Sequence, residues 1–166
     1  ILNAYNVNRF DGKAIYIIKQ LFKAYYTNPR QMPEYILQRL LKKIDEITSN
    51  IYNLKFSDGS EVKDIDLLNS KPEEIDKLIK LMKLQIKLEE LDIPSKLKNL
   101  YSNQCQLNKK FKEVNTKNLE ELDDNERIIK ALIEISYVYI STICDYIAGM
   151  TDNYAKNEFK KLYLVD

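Results

Sequence analysis

Histidine is absent from this chain of 166 residues. Imidazole is the commonest metal ligand in proteins and the commonest general base near neutral pH. Its absence excludes a histidine-based zinc hydrolase site, a His–Asp metal site and a Ser-His-Asp triad from this chain. The only two cysteines, Cys105 and Cys144, form no CxxC motif. Because two cysteines do not make a disulfide framework in a chain of this size, we expect free thiols in a reducing, cytoplasmic compartment.

An excess of one charge sign is also missing, because 26 Lys and Arg residues face 25 Asp and Glu residues and the net charge is +1. This balance gives no electrostatic reason to expect nucleic acid or an anionic membrane as a partner. The longest apolar run, residues 128–150, contains Lys130, Glu134 and Asp145. Three charges argue against a membrane span, so the sequence predicts a soluble protein with a buried helix in this run.

Glycine and proline are scarce, at three and four residues, whereas 45% of the chain is hydrophobic. Apolar residues recur at spacings of three and four, which is typical of amphipathic helices. We therefore predict an all-α protein, a helical bundle or irregular helical array that forms a single domain over residues 1–166. The predicted helices are 12–27, 33–49, 70–92, 94–114, 123–150 and 151–163, with capping boxes at Ser70 and Glu73 and at Asp123 and Glu126. Residues 50–69 lose the helical period, and the turn signal at 57–60 fits either a short hairpin or an irregular loop.

One carboxylate, Asp145, falls within the helix that is predicted to be buried. A buried carboxylate is costly, so Asp145 either meets a Lys, Arg or Tyr partner or marks a functional site. Gly149 follows it, in a segment that also holds Tyr146, Asp152 and Tyr154. A glycine inside a helix costs about 1 kcal/mol relative to alanine. Gly149 therefore indicates either a tight helix crossing or a bend that lets a ligand approach.

Residues 145–155 read DYIAGMTDNYA. This run resembles the C-terminal signature of bacterial deoxyguanosine triphosphate triphosphohydrolases, which belong to the HD-domain phosphohydrolases. A second stretch, from Gly12 to Pro33, resembles the helix that opens the C-terminal associated region of the same family. Residues 35–122 show no such resemblance. The family often carries Arg after the MTD triplet, where this chain has Asn153, and this departure weakens any phosphate contact at that position.

The resemblance implies a divalent metal, Mn²⁺ or Mg²⁺, held by histidines and aspartates of an HxxxHD-type core that precedes this region. In such enzymes the metal polarises the α-phosphate of a dNTP, and water displaces tripolyphosphate to leave the deoxynucleoside. This chain would hold no catalytic residue and no metal ligand. It is expected to pack on that upstream HD domain, help close the nucleotide pocket and contribute to a homo-oligomer. The residues implied to touch the dNTP substrate are Asp145, Tyr146, Asp152 and Tyr154.

The chain begins at Ile1 rather than Met, which predicts a C-terminal fragment of a larger enzyme that is inactive alone. Such a fragment should expose apolar surface that the rest of the enzyme covers, and so should self-associate. The alternative is a stand-alone helical protein-interaction module without enzymatic activity. The upstream sequence separates the two, because only the enzyme fragment should follow a metal motif of His and Asp residues.

Overall fold

A computed structural model describes residues 2–101 and 103–164 and, among these, all side chains except those of residues 2–10, 88, 101 and 104. Over this part of the chain the structure has seven α-helices and no β-strand, so the all-α prediction is confirmed. The helices are α1 (Leu2–Thr27), α2 (Glu34–Asn50), α3 (Pro72–Met82), α4 (Ser95–Tyr101), α5 (Gln104–Thr116), α6 (Asp124–Ala148) and α7 (Asp152–Tyr163).

Backbone contacts divide the chain into two compact units. The terminal unit combines the two ends of the chain, Ile1–Ile36 and Ile140–Asp166, and the central unit is Leu37–Tyr139. The terminal unit contains both stretches that carry the family resemblance. The central unit contains most of the sequence for which no resemblance was found.

The segment between α2 and α3, in the central unit, is irregular. Its isolated β-bridges pair Lys55 with Glu61 and Phe56 with Leu91. The turn predicted at 57–60 is present, since Asp58 Oδ1 accepts the backbone N–H of Ser60 at 2.9 Å and Gly59 has a φ of 86°. The two alternatives are thus resolved in favour of an irregular loop with isolated bridges, rather than a hairpin of two strands.

The capping box predicted at Ser70 and Glu73 is wrong. The Ser70 hydroxyl oxygen instead accepts the backbone N–H of Asp66 at 2.8 Å, before the helix begins. The Glu74 carboxylate accepts the backbone N–H of Lys71 at 3.3 Å. The capping box at the start of α3 therefore involves Lys71 and Glu74, one residue later than predicted.

Two of the predicted helices in the central unit are too long. α3 ends at Met82 because the chain turns at Leu84, whose φ of 55° lies in the left-handed region. The predicted helix 94–114 is divided into α4 and α5. Asn103 begins α5 as its N-cap, with its side-chain oxygen accepting the backbone N–H of Cys105 at 3.1 Å.

In the terminal unit, α1 packs against α7. α1 begins at Leu2, earlier than the predicted start at Gly12. Ile17, Leu21 and Tyr25 recur at a spacing of four and are all buried, at 7%, 0% and 0% exposure. This spacing places them on one face of the helix, which forms the core of the unit.

α6 begins as the sequence predicts, with Asp123 Oδ1 accepting the backbone N–H of Glu126 at 2.8 Å. The helix ends at Ala148. Its last turns bury Tyr146, which is 8% exposed, but leave Ile140 39% exposed. The helix that was predicted to be buried therefore has an exposed side. Among the described residues, no helix is both long enough and apolar enough to cross a membrane.

Candidate functional site

A short connection, residues 149–151, joins the end of α6 to the start of α7. Thr151 caps α7, because its hydroxyl oxygen accepts the backbone N–H of Tyr154 at 3.2 Å. A Cβ added to Gly149 would meet only two backbone oxygens of the preceding turn, at 3.5 and 3.7 Å. These are ordinary contact distances to the same helix, so of the two alternatives for Gly149 the tight helix crossing is not observed. The chain instead bends here and begins α7.

Two of the four predicted site residues are in direct contact. The hydroxyl oxygens of Tyr146 and Tyr154 lie 3.1 Å apart, within hydrogen-bond distance. Tyr146 is buried, whereas Tyr154 is 43% exposed. The pair therefore leads from the interior of the terminal unit to its surface.

Asp145 lies apart from this pair, and the prediction of its burial is wrong. Its side chain is exposed. Successive residues on a helix point about 100° apart, so the burial of Tyr146 turns the preceding residue outward. An exposed carboxylate is solvated by water and requires neither a buried partner nor a site.

Two residues that the sequence analysis did not single out extend the pair. The rings of Tyr25 and Tyr146 are in contact, with their centroids 5.4 Å apart. The Tyr25 hydroxyl donates to Glu158 Oε2 at 3.3 Å. The other carboxylate oxygen of Glu158 forms an ion pair with Lys161 at 3.1 Å. Glu158, Tyr25, Tyr146 and Tyr154 thus form one connected set, which we call the tyrosine network.

Part of this network could have been found from the sequence. Tyr154 and Glu158 are four residues apart in a predicted helix, and such residues share a face. Tyr25 lies in the second stretch of resemblance, but 133 residues separate it from Glu158. No local pattern reports a contact across that separation, so this half of the network required the tertiary structure.

Burial controls the chemistry of the two inner phenols. Burial raises the pKa of Tyr25 above its usual range, and the Glu158 carboxylate raises it further because it repels a phenolate. Burial likewise raises the pKa of Tyr146. Both phenols therefore stay protonated at neutral pH and act as neutral hydrogen-bonding groups rather than as bases or nucleophiles.

A cavity of about 170 Å³ lies between α1, the end of α6 and the start of α7. Its apolar wall includes Ile17, Ile18, Ile147 and Met150, and its charged residues are Lys13, Lys156 and Asp152. An apolar protein cavity of similar size, about 150 Å³, accepts a benzene molecule. This cavity can therefore take a ring-sized group whose polar substituents reach charged side chains. Asp152 is the one predicted site residue that lines it.

The described residues contain no group of three or more His, Cys, Asp or Glu side chains that could hold a metal ion. The carboxylates present here do not fit a metal centre. What this arrangement offers is hydrogen bonding, shape and charge, which can bind and orient a ligand.

Residues 141–161 match the model of the phosphohydrolase-associated domain. This segment is similar to a domain that accompanies HD-type phosphohydrolases. The match covers the end of α6, the connection and most of α7, and it includes three of the four members of the tyrosine network, Tyr25 being the exception. No curated protein and no solved structure matches the chain.

Proposed function

We propose that this chain is the C-terminal, non-catalytic portion of a dNTP triphosphohydrolase, with dGTP as the expected substrate. One observation supports the proposal: the segment that matches the phosphohydrolase-associated domain also supplies three of the four residues of the tyrosine network and part of the cavity wall. In this function the chain packs on an upstream HD domain and helps to close the nucleotide pocket.

The chemistry of hydrolysis belongs to the upstream part of such an enzyme. A divalent metal, Mn²⁺ or Mg²⁺, would polarise the α-phosphate and activate water there. The residues that the structure describes contain no cluster that fits that metal, so no step of hydrolysis is assigned to them. Their contribution is to position the nucleotide, which can be large because correct placement of reacting groups accounts for much of the rate of enzymes.

Several observations support a positioning role. Tyr154 is 43% exposed, and its hydroxyl lies within hydrogen-bond distance of the hydroxyl of the buried Tyr146. Lys13 and Lys156 bring positive charge to an apolar cavity, and phosphate groups are attracted to such charge. Exposed apolar side chains on α1, Ile15 at 53% and Ile18 at 49%, offer surface that an adjoining domain or a second copy could cover.

The test is release of tripolyphosphate from dGTP and the other dNTPs in the presence of Mn²⁺ or Mg²⁺. This chain alone is compared with the gene product extended upstream of Ile1. We expect activity only in the extended protein. Activity in neither protein would favour the helical interaction module, and activity in this chain alone would contradict the assignment of catalysis to the upstream part.

A matched pair of variants in the extended protein tests the site itself. Asp152→Asn keeps the size of the side chain but removes its charge from the cavity, and Asp145→Asn makes the same change at an exposed position outside it. We expect the Asp152 variant to change the KM for dGTP and the Asp145 variant to leave it unchanged. Equal effects of the two variants would contradict a role for the cavity in binding the nucleotide.

A further inference from the structure

The cavity of the terminal unit combines an apolar wall with a small number of charged groups. Its charged residues are Lys13 on α1 and Asp152 and Lys156 on α7. Lys13 and Asp152 are exposed, so solvent reaches these charges where the cavity opens. Sites for small molecules commonly have this composition, in which the apolar wall binds a ring and the polar groups fix its orientation.

α7 presents a hydrogen-bond acceptor and a donor to this cavity, next to each other. Asp152 and Lys156 are four residues apart in the helix and therefore share a face, and both line the cavity. The carboxylate of Asp152 can only accept hydrogen bonds, and its two oxygens can accept two at once. The ammonium group of Lys156 can only donate. A ligand held here therefore needs an acceptor beside two adjacent donors.

Among the four DNA bases, guanine alone carries that pattern on one edge. Its O6 accepts a hydrogen bond, and its N1–H and 2-amino groups follow as neighbouring donors. Adenine offers an amino group beside the lone pair of N1, which is the reverse order. The pyrimidines offer at most one donor beside the carbonyl oxygen at C2, which a carboxylate repels.

The size of the cavity agrees with a base inserted by this edge. Its volume of about 170 Å³ is similar to that of the apolar protein cavity of about 150 Å³ that accepts benzene. The guanine edge with O6, N1–H and the amino group belongs to the six-membered ring of the purine. That ring is also of the size of benzene. Proteins that bind an unpaired base likewise combine apolar contacts to the ring with hydrogen bonds to this edge.

We propose that the cavity recognises a guanine base, with Asp152 accepting from N1–H and the 2-amino group and Lys156 donating to O6. The inference rests on the proposed function, because that function makes a deoxynucleotide the ligand. It adds the residues that select the base. Lys13, on the opposite helix, is then the lysine left to attract the phosphates.

The first experiment measures the selection of the base. Equilibrium dissociation constants of dGTP, dATP and deoxyinosine triphosphate are determined for the extended protein in EDTA, so that binding is read without turnover. Deoxyinosine triphosphate lacks only the 2-amino group, and losing one hydrogen bond to a charged acceptor should weaken its binding roughly 10-fold relative to dGTP. We expect dATP to bind more weakly still. Equal affinities for dGTP and dATP overturn the proposal.

The second experiment redirects the selection. Asp152→Asn replaces one accepting oxygen with an amino group, which can donate to the C2 carbonyl that deoxyxanthosine triphosphate has in place of the 2-amino group. We expect roughly 10-fold weaker binding of dGTP and tighter binding of deoxyxanthosine triphosphate than in the wild type. Asp145→Asn, at an exposed position outside the cavity, should change neither. A variant of Asp152 that does not gain affinity for deoxyxanthosine triphosphate contradicts the contact with the base.

The third experiment tests the donor to O6. Lys156→Met should weaken the binding of dGTP roughly 10-fold and leave that of dATP, which has no O6, unchanged. Lys160→Met is the matched control, because Lys160 is an exposed lysine of the same helix outside the cavity. Equal losses with dGTP and dATP would reveal a general charge effect and rule out the assigned contact. Thermal unfolding of each variant verifies that it is folded.

Binding and turnover of the same proteins show which idea fails. If the extended protein hydrolyses dGTP but Asp152→Asn and Asp145→Asn bind every nucleotide alike, the guanine site fails and the proposed function stands. If the guanine selection and its redirection are observed but no tripolyphosphate is released, the proposed function fails and the guanine site stands. Absence of any dNTP binding overturns both.

Discussion

Each of the two units contains a largely buried glutamate, and the two are neutralised in different ways. In the central unit, the side chain of Glu126 is 7% exposed and lies 2.7 Å from Lys117 and 3.5 Å from Lys110. In the terminal unit, the side chain of Glu158 is 13% exposed and accepts a hydrogen bond from Tyr25 as well as the ion pair with Lys161. One acid is enclosed by cations, and the other is connected to a series of neutral phenols.

The difference separates a structural network from one that can bind a ligand. In the cluster around Glu126, two cations lie within ion-pair distance of a single carboxylate. The tyrosine network extends from Glu158 to Tyr154, whose side chain is 43% exposed. A buried polar network whose last member reaches the surface can make one more hydrogen bond without being disrupted.

The largest expected effect is a loss of stability of the terminal unit at alkaline pH, caused by ionisation of the tyrosine network. The pKa values of Tyr25 and Tyr146 are raised by burial, so their contribution to stability is complete below the ordinary phenol pKa of about 10. It is lost as the pH rises through the raised values. We expect the terminal unit to unfold in this range, as seen by thermal unfolding together with ¹³C NMR of the tyrosine ζ-carbons. Ionisation of Tyr146 with a midpoint near that of free tyrosine, in a folded protein, would contradict its burial.

The second prediction concerns Glu126, the largely buried acid of the central unit. Glu126→Ala leaves two lysines without their shared carboxylate, and breaking a mostly buried ion pair should cost about 2–3 kcal/mol in the free energy of unfolding. The control is Glu113→Ala, which removes a carboxylate near the same lysines whose side chain is 48% exposed. Exposed pairs contribute about 0–1 kcal/mol. Urea unfolding of the two variants compares them, and equal losses would show that Glu126 behaves as a surface group.

The contribution of Glu126 to stability should also depend on pH. It should be lost in acid, whereas the contribution of the tyrosines is lost in alkali. The hydrogen bond from Lys117 lowers the pKa of Glu126. Its contribution is therefore complete above the ordinary glutamate pKa of about 4.3 and is lost as the pH falls through the lowered value. The difference in unfolding free energy between the wild type and Glu126→Ala should shrink in acid. A difference that stays constant would contradict the ion-pair origin of the stability.

Sequence reasoning succeeded where a local pattern carries the information. The N-cap at Asp123 and the helix over 151–163 were predicted because capping and helical periodicity involve residues within one or two turns. It failed for α3, since a single left-handed residue, Leu84, ends the helix and no sequence rule marks it. The burial of Asp145 was predicted from the average character of its helix, whereas burial depends on which side of the helix the neighbours cover.

The candidate site shows the same limit. Tyr146 and Tyr154 were identified because both lie within a short run of unusual composition. Tyr25 contributes from the other end of the chain, and its role depends on the packing of α1 against α7. The resemblance located the segment, but only the fold reveals which hydroxyl is buried and which one can reach a ligand.

The smallest effect is expected at the outer end of the tyrosine network, and it is the one that best tests the comparison. Tyr154→Phe removes one neutral hydrogen bond made by a side chain that is 43% exposed, so the free energy of unfolding should change by less than about 1 kcal/mol. Tyr25→Phe instead leaves the largely buried Glu158 carboxylate without the hydroxyl that donates to it, and should cost about 1–2 kcal/mol. Urea unfolding of both variants measures this contrast. If Tyr154→Phe destabilised the protein as much as Tyr25→Phe, the Tyr154 hydroxyl would contribute to folding in the way that Glu126 does. The proposed difference between the Glu126 cluster and the tyrosine network would then not hold. If Tyr154→Phe had the smaller effect, Tyr154 would be a side chain that contributes little to folding but is held in place by the buried Tyr146. That arrangement is expected of a group that binds a ligand.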